Sequence, residues 1–409
     1  MDAAPALRRL RRLDLHLQPQ LISDSSSGLG DTCSRTRRGS RSTRVCSSAT
    51  SASIAETTLH GRSALTLSNG SLSLSVLPGG GFIGDVHLTT GDPRADINPM
   101  RVPDYQTIDP HTFDPKNKAH AAAYGTDVQG RLMSGYMGHY TCFPQFGNSS
   151  EEFEAVGYGQ HGEAIGVLWQ QQSTGDSGQL SMTAHLPLNS YNFERTVTMH
   201  PGETVACITE TAENLACFER PLQWNQHVTF GPPFAQVGHM WADASVLDAP
   251  ADFRGFSGRT SRWQMQIEKP QSWVVAFNDN YRLLFGQLFD AEVNPWLLDW
   301  QTDAASSDQS TMPTPLQGAT ARGFCWGDSI ESGIKNAVTK AEHNGVPTFS
   351  WIGARQRWSQ RYVVFLAELP DAWCGTADVR ASGGSIVITE TASHAVADAR
   401  TITLRAKDM

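Results

Sequence analysis

The chain has 409 residues, 39% hydrophobic and 18% charged, a composition that can bury a core and that excludes a disordered protein or a coiled coil. The net charge of −9 is uneven, because the first 55 residues hold nine Arg, no Lys and four Asp and leave −14 on the remainder. An acidic body argues against a nucleic-acid partner. No run of about 18 apolar residues is present, so we expect no membrane-spanning helix and no membrane partner.

The N-terminal segment, residues 1–55, is rich in Arg and Ser and lacks Phe, Trp and Tyr, a composition that does not bury a core. It lacks the apolar stretch of a secretory signal, and its composition is typical of an organelle transit peptide. This predicts a plastid or mitochondrial location. A disordered basic tail or a misassigned start is the alternative, and the protein would then be cytoplasmic. Residues 57–409 are predicted to form one domain.

The seven cysteines show neither a CxxC pair nor an even spacing. A zinc ribbon and a disulfide framework are therefore not indicated, and scattered single cysteines are typical of a reducing compartment. We expect no cofactor and no metal.

The body begins with a hairpin, because apolar residues alternate from Leu65 to Val76 on both sides of the turn Asn69-Gly70. Only Asp328–Asn344 has the apolar spacing of a helix. Many short strands with one helix predict an all-β sandwich or barrel. The further predicted strands are Phe82–Leu88, Ala164–Gln170, Leu180–Leu186, Asn192–Met199, Thr204–Ala212, Trp263–Glu268, Ser272–Phe277, Tyr281–Leu288, Arg361–Leu369, Ser385–Glu390 and Thr401–Arg405.

The stretch from Asp92 to Phe153 breaks this pattern, with turn-forming pairs such as Asn98-Pro99 and several aromatic residues. Long irregular segments in compact domains are usually functional or disordered. Aromatic rings among polar groups suit carbohydrate, which has apolar C–H faces and hydroxyl edges. We therefore predict an ordered wall of a ligand site here.

One candidate for chemistry is His161-Gly162-Glu163, directly before the apolar run predicted as a strand. Positions i and i+2 of a strand share a face, so His161 and Glu163 would point into one cavity. The alternative is a loop histidine beside a solvated carboxylate.

Two further candidates are His227, in the segment from Trp224 to Phe234, and Arg131, in the segment from Gly130 to His139. An imidazole with a pKa near 6.5 can give or take a proton at neutral pH. A guanidinium can donate two hydrogen bonds to sugar oxygens. The alternatives are a structural histidine and a surface charge.

Taken together, residues 57–409 resemble the aldose 1-epimerase (galactose mutarotase-like) family. The resemblance implies a β-supersandwich, in which two large antiparallel sheets form one sugar-binding domain. It also implies an aldose or another carbohydrate as the ligand. The segments that carry it are Asn69–Leu77 with Gly79–Gly81, His161–Glu163, Asn225–Phe234, Asn294–Trp300 and Gly345–Trp351.

The family opens and recloses an aldose ring at its anomeric carbon. A base removes the C1 hydroxyl proton while an acid protonates the ring oxygen, so that no strongly charged intermediate need form. The resemblance implies that His227 is the acid and that His161 is the second catalytic histidine. It places Arg131, His139, Trp224 and Asn225 at the substrate.

The sequence departs from the family pattern at the residue expected to act as the catalytic base. The segment in which a glutamate is expected is Arg322-Gly323-Phe324-Cys325-Trp326-Gly327, with Cys325 in the place of the carboxylate. A thiol has a pKa of about 8.5 and is mostly protonated at neutral pH. The candidates for a replacement base are Glu163, Asp328 and Glu368.

Other functions stay open on the sequence alone. The loss of the glutamate favours a non-catalytic carbohydrate-binding or regulatory module. A metalloenzyme would use His139, His161, Glu163 and His227, although the close HxH pair usual in such sites is missing. A polysaccharide lyase would need a helical domain for which the sequence has no pattern. Cys325 as a nucleophile is the last alternative.

Overall fold

The computed structural model describes residues 51–125, 129–268, 272–305, 316, 318–392 and 399–407. Most of the predicted transit peptide, residues 1–55, lies outside these residues, and the first strand begins at Ser53. None of the helices in the described part is long and apolar enough to cross a membrane.

A nine-stranded antiparallel sheet forms one layer. With strands numbered in chain order, its members are β1 (Ser53–Leu59), β2 (Arg62–Ser68), β3 (Leu72–Leu77), β4 (Phe82–Leu88), β5 (His139–Cys142), β11 (Asn225–Phe230), β13 (Ser261–Gln266), β16 (Trp296–Thr302) and β17 (Ala321–Gly327). Their order across the sheet is β1-β2-β3-β4-β5-β11-β17-β16-β13. The central strands β5, β11 and β17 are therefore contributed by distant parts of the chain.

An eight-stranded antiparallel sheet forms the second layer. It consists of β6 (Gln170–Gln172), β7 (Gln179–Leu186), β8 (Tyr191–Met199), β9 (Val205–Asn214), β12 (Met240–Ala244), β14 (Trp273–Asn278), β15 (Leu283–Leu288) and β21 (Arg357–Glu368). Their order across the sheet is β12-β14-β15-β21-β9-β8-β7-β6.

The remaining strands and the helices form smaller elements outside the two large sheets. Three strands, β22 (Thr376–Ser382), β23 (Ser385–Glu390) and β24 (Thr401–Arg405), form a separate sheet, and β10 (Arg220–Leu222) pairs with β20 (Ser350–Ile352). A second pair joins β18 (Glu342–His343) to β19 (Val346–Pro347). The described helices are α1 (Lys118–Tyr124), α2 (Gly130–Gly135), α3 (Glu151–Glu154) and α4 (Ile334–Lys340), with 3₁₀ turns at Pro110–Thr112 and Ala164–Gly166.

The two large sheets pack face to face over a continuous apolar core. Phe230 of β11 lies 5.3 Å from Phe285 of β15 between ring centroids, and Trp326 of β17 lies 5.2 Å from Tyr362 of β21. Burial of these rings provides most of the driving force for the packing of the sheets. The predicted all-β supersandwich of two antiparallel sheets is confirmed.

A buried ion pair also joins the layers. Arg195 Nε donates to Glu210 Oε1 at 2.8 Å within the eight-stranded sheet, and both side chains are almost fully buried. Across the interface, Arg195 donates to Thr141 Oγ1 of β5 at 2.6 Å, and Gln226 Nε2 of β11 donates to Glu210 at 2.6 Å. Burial alone would raise the pKa of Glu210, but Arg195 and the hydrogen bonds hold that pKa below its ordinary value.

The predicted strand Ala164–Gln170 is wrong. Residues Ala164–Gly166 form a 3₁₀ turn, and the strand β6 is confined to Gln170–Gln172. His161 and Gly162 both have positive φ, 62° and 89°, and left-handed residues cannot continue an extended strand. His161 and Glu163 therefore do not share a strand face.

The predicted helix Asp328–Asn344 is shorter than expected, since α4 spans only Ile334–Lys340. Side chains hold the preceding residues in a loop: Asp328 Oδ1 accepts from the backbone N–H of Trp224 at 2.7 Å, and Ser329 Oγ accepts from Gln223 at 2.7 Å. The irregular stretch from Asp92 to Phe153 contains α1, α2 and β5 as well as loops.

Candidate functional site

The candidate site lies on the outer face of the nine-stranded sheet, away from the eight-stranded sheet. His227 of β11 is directly opposite Tyr140 of β5 on one side and Cys325 of β17 on the other. Directly paired residues of a sheet point to the same face, so these three side chains stand together. Their neighbours along each strand, such as Gln226, point into the core between the sheets.

A cavity of about 370 Å³ opens above these residues. Its apolar wall includes Leu132, Met133, Tyr136, Tyr140, Phe146 and Trp300. Its polar groups include Gln160, His161, His227, Ser261, Arg262 and Cys325. Apolar and aromatic walls combined with placed polar groups are typical of small-molecule sites.

His227 is held between aromatic rings. Its imidazole stacks on Tyr140, with centroids 4.5 Å apart and the planes 14° from parallel. Its Nδ1 lies 3.3 Å from Thr229 Oγ1, and the Thr229 hydroxyl is 2.6 Å from the Tyr136 hydroxyl. Burial, followed by the charges of His161 and Arg262, holds the pKa of His227 well below its ordinary value. The ring is therefore neutral at neutral pH.

His161 reaches the same cavity from a loop. Its ring centroid is 5.0 Å from that of His227. Its backbone N–H donates to Gly147 O at 2.8 Å, and its Nδ1 accepts from the Gly147 N–H at 3.3 Å and lies 3.1 Å from Cys142 Sγ. The proton of the neutral ring is thereby assigned to Nε2. Burial, and then the charge of Arg262, lowers the pKa of His161 to about 3.

Cys325 occupies the cavity floor opposite His227 and is only 2% exposed. Burial raises the pKa of the Cys325 thiol far above its ordinary value, although the charge of Arg262 acts in the opposite direction. The sulfur is thus a protonated thiol at neutral pH, which is neither a base nor an activated nucleophile.

The three carboxylates named as replacement bases do not line the cavity. Glu163 accepts from the backbone N–H groups of Leu188 and Asn189 at 2.8 and 3.0 Å, which anchors that loop. Asp328 is bound to Trp224 N–H, and burial raises its pKa to about 7. Glu368 ends β21 in the other sheet, opposite Leu283. No Asp or Glu of the described residues lines the cavity.

The four side chains predicted to contact the substrate make hydrogen bonds elsewhere in the structure instead. Arg131 Nη1 donates to Pro110 O at 3.3 Å. His139 Nε2 lies 2.9 Å from Gln226 Oε1, Trp224 Nε1 donates to Glu210 at 3.0 Å, and Asn225 Nδ2 donates to Ser329 O at 2.7 Å. His139 and Trp224 point into the core because they alternate with Tyr140 and Asn225 along their segments. None of the four lines the cavity.

Two side chains of the cavity, Arg262 and Trp300, were not predicted from the sequence. Arg262 of β13 and Trp300 of β16 are directly paired across the strands. Gly323 of β17 is the next residue in this row, and the Trp300 indole lies across it, since a Cβ at Gly323 would come within 2.1 Å of Trp300 Nε1. Their placement follows from strand register, which no local motif reveals.

A metal centre built on His139, His161, Glu163 and His227 is not formed. Among the described residues, no group of three or more His, Cys, Asp or Glu side chains is arranged to hold a metal ion. His139 and Glu163 are bound to Gln226 and to the 188–189 loop instead.

No protein-family model matches the chain, and no curated protein matches it. Solved structures do match. An aldose 1-epimerase candidate from Klebsiella pneumoniae is 14% identical, with a TM-score of 0.56 over 78% of this chain and 84% of the other. A galactose mutarotase-like protein from Clostridium acetobutylicum is 12% identical, with a TM-score of 0.51 over 77% and 98%. A mutarotase candidate from Salmonella typhimurium is 9% identical, with a TM-score of 0.51 over 77% and 94%.

These identities are low, so the likeness concerns the fold. It covers most of both chains and agrees with the two large antiparallel sheets described above. The resemblance predicted from the sequence is thereby confirmed at the level of architecture, and the chain has the fold of the aldose 1-epimerases and galactose mutarotase-like proteins.

Proposed function

We propose that the cavity binds a carbohydrate ring and that the protein is a carbohydrate-binding relative of the aldose 1-epimerases with little or no anomer-exchange activity. The observation that carries the proposal is the buried thiol of Cys325 directly opposite His227, in a cavity that no described carboxylate lines.

The lining supports a sugar ligand. Trp300 offers an aromatic surface to the C–H face of a pyranose, and Ser261, His161 and His227 offer polar groups to its hydroxyls. A cavity of about 370 Å³ lies within the usual range for small-molecule sites.

The proton chemistry supports weak catalysis at most. Ring opening needs a base at the C1 hydroxyl and an acid at the ring oxygen. The two histidines have pKa values far below 7, so each is a poor proton acceptor and neither carries the extra proton of a strong acid. A protonated thiol stands in the place of the base, and the acid would be a neutral histidine. Neither the base position nor the acid is therefore well suited to its proton transfer in ring opening.

An aldose 1-epimerase is the second candidate, and one observation favours it. The His161 and His227 rings are 5.0 Å apart in the same cavity. Two neutral imidazoles can act together, one accepting a proton at its free nitrogen while the other donates its N–H. In this case His227 would protonate the ring oxygen, as the family resemblance implies.

Anomer exchange followed by NMR tests both candidates. The full-length protein is mixed with freshly dissolved α-glucose or α-galactose, and the same samples are titrated for sugar binding. We expect saturable binding that weakens in His227→Ala, with no increase in exchange rate above buffer. Catalysed exchange that is lost in His227→Ala would establish the epimerase, and no binding by folded protein would contradict both candidates.

A further inference from the structure

Arg262 is the charged side chain of this cavity. It lies on the edge strand β13, directly opposite Trp300, and its side chain lines the cavity while remaining exposed to solvent. No Asp, Glu or Lys among the described residues shares the cavity wall. The cavity is therefore cationic, in a body whose net charge is negative.

Arg262 also has no anionic partner in the part of the chain that the structure describes. Neighbouring arginines are different: Arg322 Nε donates to Asp299 at 2.8 Å, and Arg195 Nε donates to Glu210 at 2.8 Å. The guanidinium of Arg262 makes no hydrogen bond or ion pair with a described residue. Its charge reaches the centre of the cavity, since it acts on the pKa values of His161, His227 and Cys325.

The described lining of the cavity therefore lacks an anion. We propose that the ligand supplies it, and that the cavity selects a sugar acid whose carboxylate pairs with Arg262 while the sugar ring packs on Trp300. This inference rests on the proposed function, because it specifies the class of carbohydrate bound.

A carboxylate fits this place better than a phosphate. The planar guanidinium fork accepts a carboxylate through two parallel hydrogen bonds. A sugar phosphate carries close to two negative charges at neutral pH, and the described lining offers one cation, whereas a carboxylate carries a single charge. Both imidazoles are neutral and add hydrogen-bonding groups without adding charge.

Binding titrations of the full-length protein test the inference. The probes are glucose, glucuronate, galacturonate and glucose 6-phosphate, each at low and at raised salt. We expect one of the two sugar acids to bind about tenfold tighter than glucose, since charge-assisted hydrogen bonds to a partly exposed arginine are of this strength. The advantage should shrink as salt rises.

Variants assign the effect to Arg262. Arg262→Gln should remove the preference for the sugar acid, so that the acid and glucose bind with similar affinity, and Arg262→Lys should keep part of the preference. Arg259→Gln is the matched control, because it removes the same charge from an exposed residue nearby that does not line the cavity.

Three results would overturn the inference. The first is that glucose binds as tightly as both acids, the second that a preference for the acid survives Arg262→Gln, and the third that glucose 6-phosphate binds tightest. Each of these would contradict the sugar-acid class and leave the proposed carbohydrate function intact. No binding of any of the four probes by folded protein would remove the proposed function and this inference together.

Discussion

At the scale of single residues, the chemistry of the cavity depends on position 325. The directly paired residues Tyr140, His227 and Cys325 form one row across the sheet, with a thiol where the family resemblance implies a glutamate. A buried thiol holds its proton at neutral pH, whereas a carboxylate in the same row would release it. The side chain opposite His227 therefore decides between binding and catalysis.

Cys325→Glu should create anomer-exchange activity. The new carboxylate faces the cavity next to His227, and the charge of Arg262 favours its ionised form. General bases contribute about 10²- to 10⁴-fold to a reaction, and with imperfect placement we expect a gain of at least about tenfold in exchange rate. The rate, measured by NMR with fresh α-glucose, should rise with pH as the carboxylate ionises.

Cys325→Gln is the control for this variant, because it has nearly the same shape and cannot act as a base. Equal exchange rates in folded Cys325→Glu and Cys325→Gln would mean that the missing carboxylate is not the reason for low activity. His227→Ala added to Cys325→Glu should lower the gained rate if His227 is the acid.

Some site residues could be predicted from local motifs and others could not. His161, His227 and Cys325 were found from short segments that resemble the family, and all three line the cavity. Arg262 stands on an edge strand between exposed and half-buried residues, where an arginine is ordinary. Only the pairing of β13 with β16 brings it to the cavity, and this register depends on the whole sheet.

At the scale of elements, the predicted strands show either alternation or a continuous apolar run, as in β14 and β15, which are buried throughout. The strand β8 alternates strictly between buried and more exposed residues, so its pattern indicates a strand. The strands β11, β16 and β17 are buried on both faces and show no alternation. Buried polar residues such as Asn225, Asp299 and Arg322 also interrupt any apolar run in them, which explains why these three strands of the site were not predicted.

Gly323→Ala tests how β17 positions the cavity wall. A Cβ at this position would come within 2.1 Å of Trp300 Nε1, so the indole must move away from the sheet. Overpacking of this kind costs about 1–3 kcal/mol. We expect Tm to fall by a few degrees and sugar affinity to fall with it, measured by thermal unfolding and by titration with the sugar that binds best.

Gly255→Ala is the matched control, since the nearest atom to a Cβ there is 3.5 Å away in Trp241, an ordinary van der Waals contact. Neither glycine has the positive φ that would strain an alanine, so the comparison isolates side-chain packing. If Gly323→Ala were as stable as Gly255→Ala and kept full sugar affinity, Trp300 would not be a fixed part of the binding wall.

At the scale of the whole molecule, apolar burial and one ion pair join the two sheets. Arg195 and Glu210 belong to the eight-stranded sheet, and Thr141 and Gln226 of the nine-stranded sheet make further hydrogen bonds to them. Buried charges are costly unless they are fully paired, so this network favours one alignment of the two layers. His227 follows Gln226 directly, so the same alignment fixes the strand that carries the site.

A double-mutant cycle on this pair should show strong coupling. Glu210→Gln leaves Arg195 buried without its counter-charge and should lower the free energy of unfolding by about 3–5 kcal/mol. Arg195→Met should cost a similar amount, and the double variant should be much more stable than the sum of the two losses predicts, because replacing a whole buried pair removes both unpaired charges. Urea unfolding measures the three values, and additive losses would mean that the pair does not act as a unit.

The dependence of the unfolding free energy on pH below neutrality gives an independent check of the role of the Glu210 charge. Its pKa in the folded protein lies below the value of about 4.3 expected for the unfolded chain. The stabilisation is therefore fully present above the unfolded pKa and is lost as pH falls through the folded pKa. Glu210→Gln removes this contribution, so the difference in unfolding free energy from wild type should be largest near neutral pH and shrink as the pH is lowered below about 4. A difference that stays constant down to pH 3 would show that Glu210 stabilises the sheets by shape and hydrogen bonding, not by its charge.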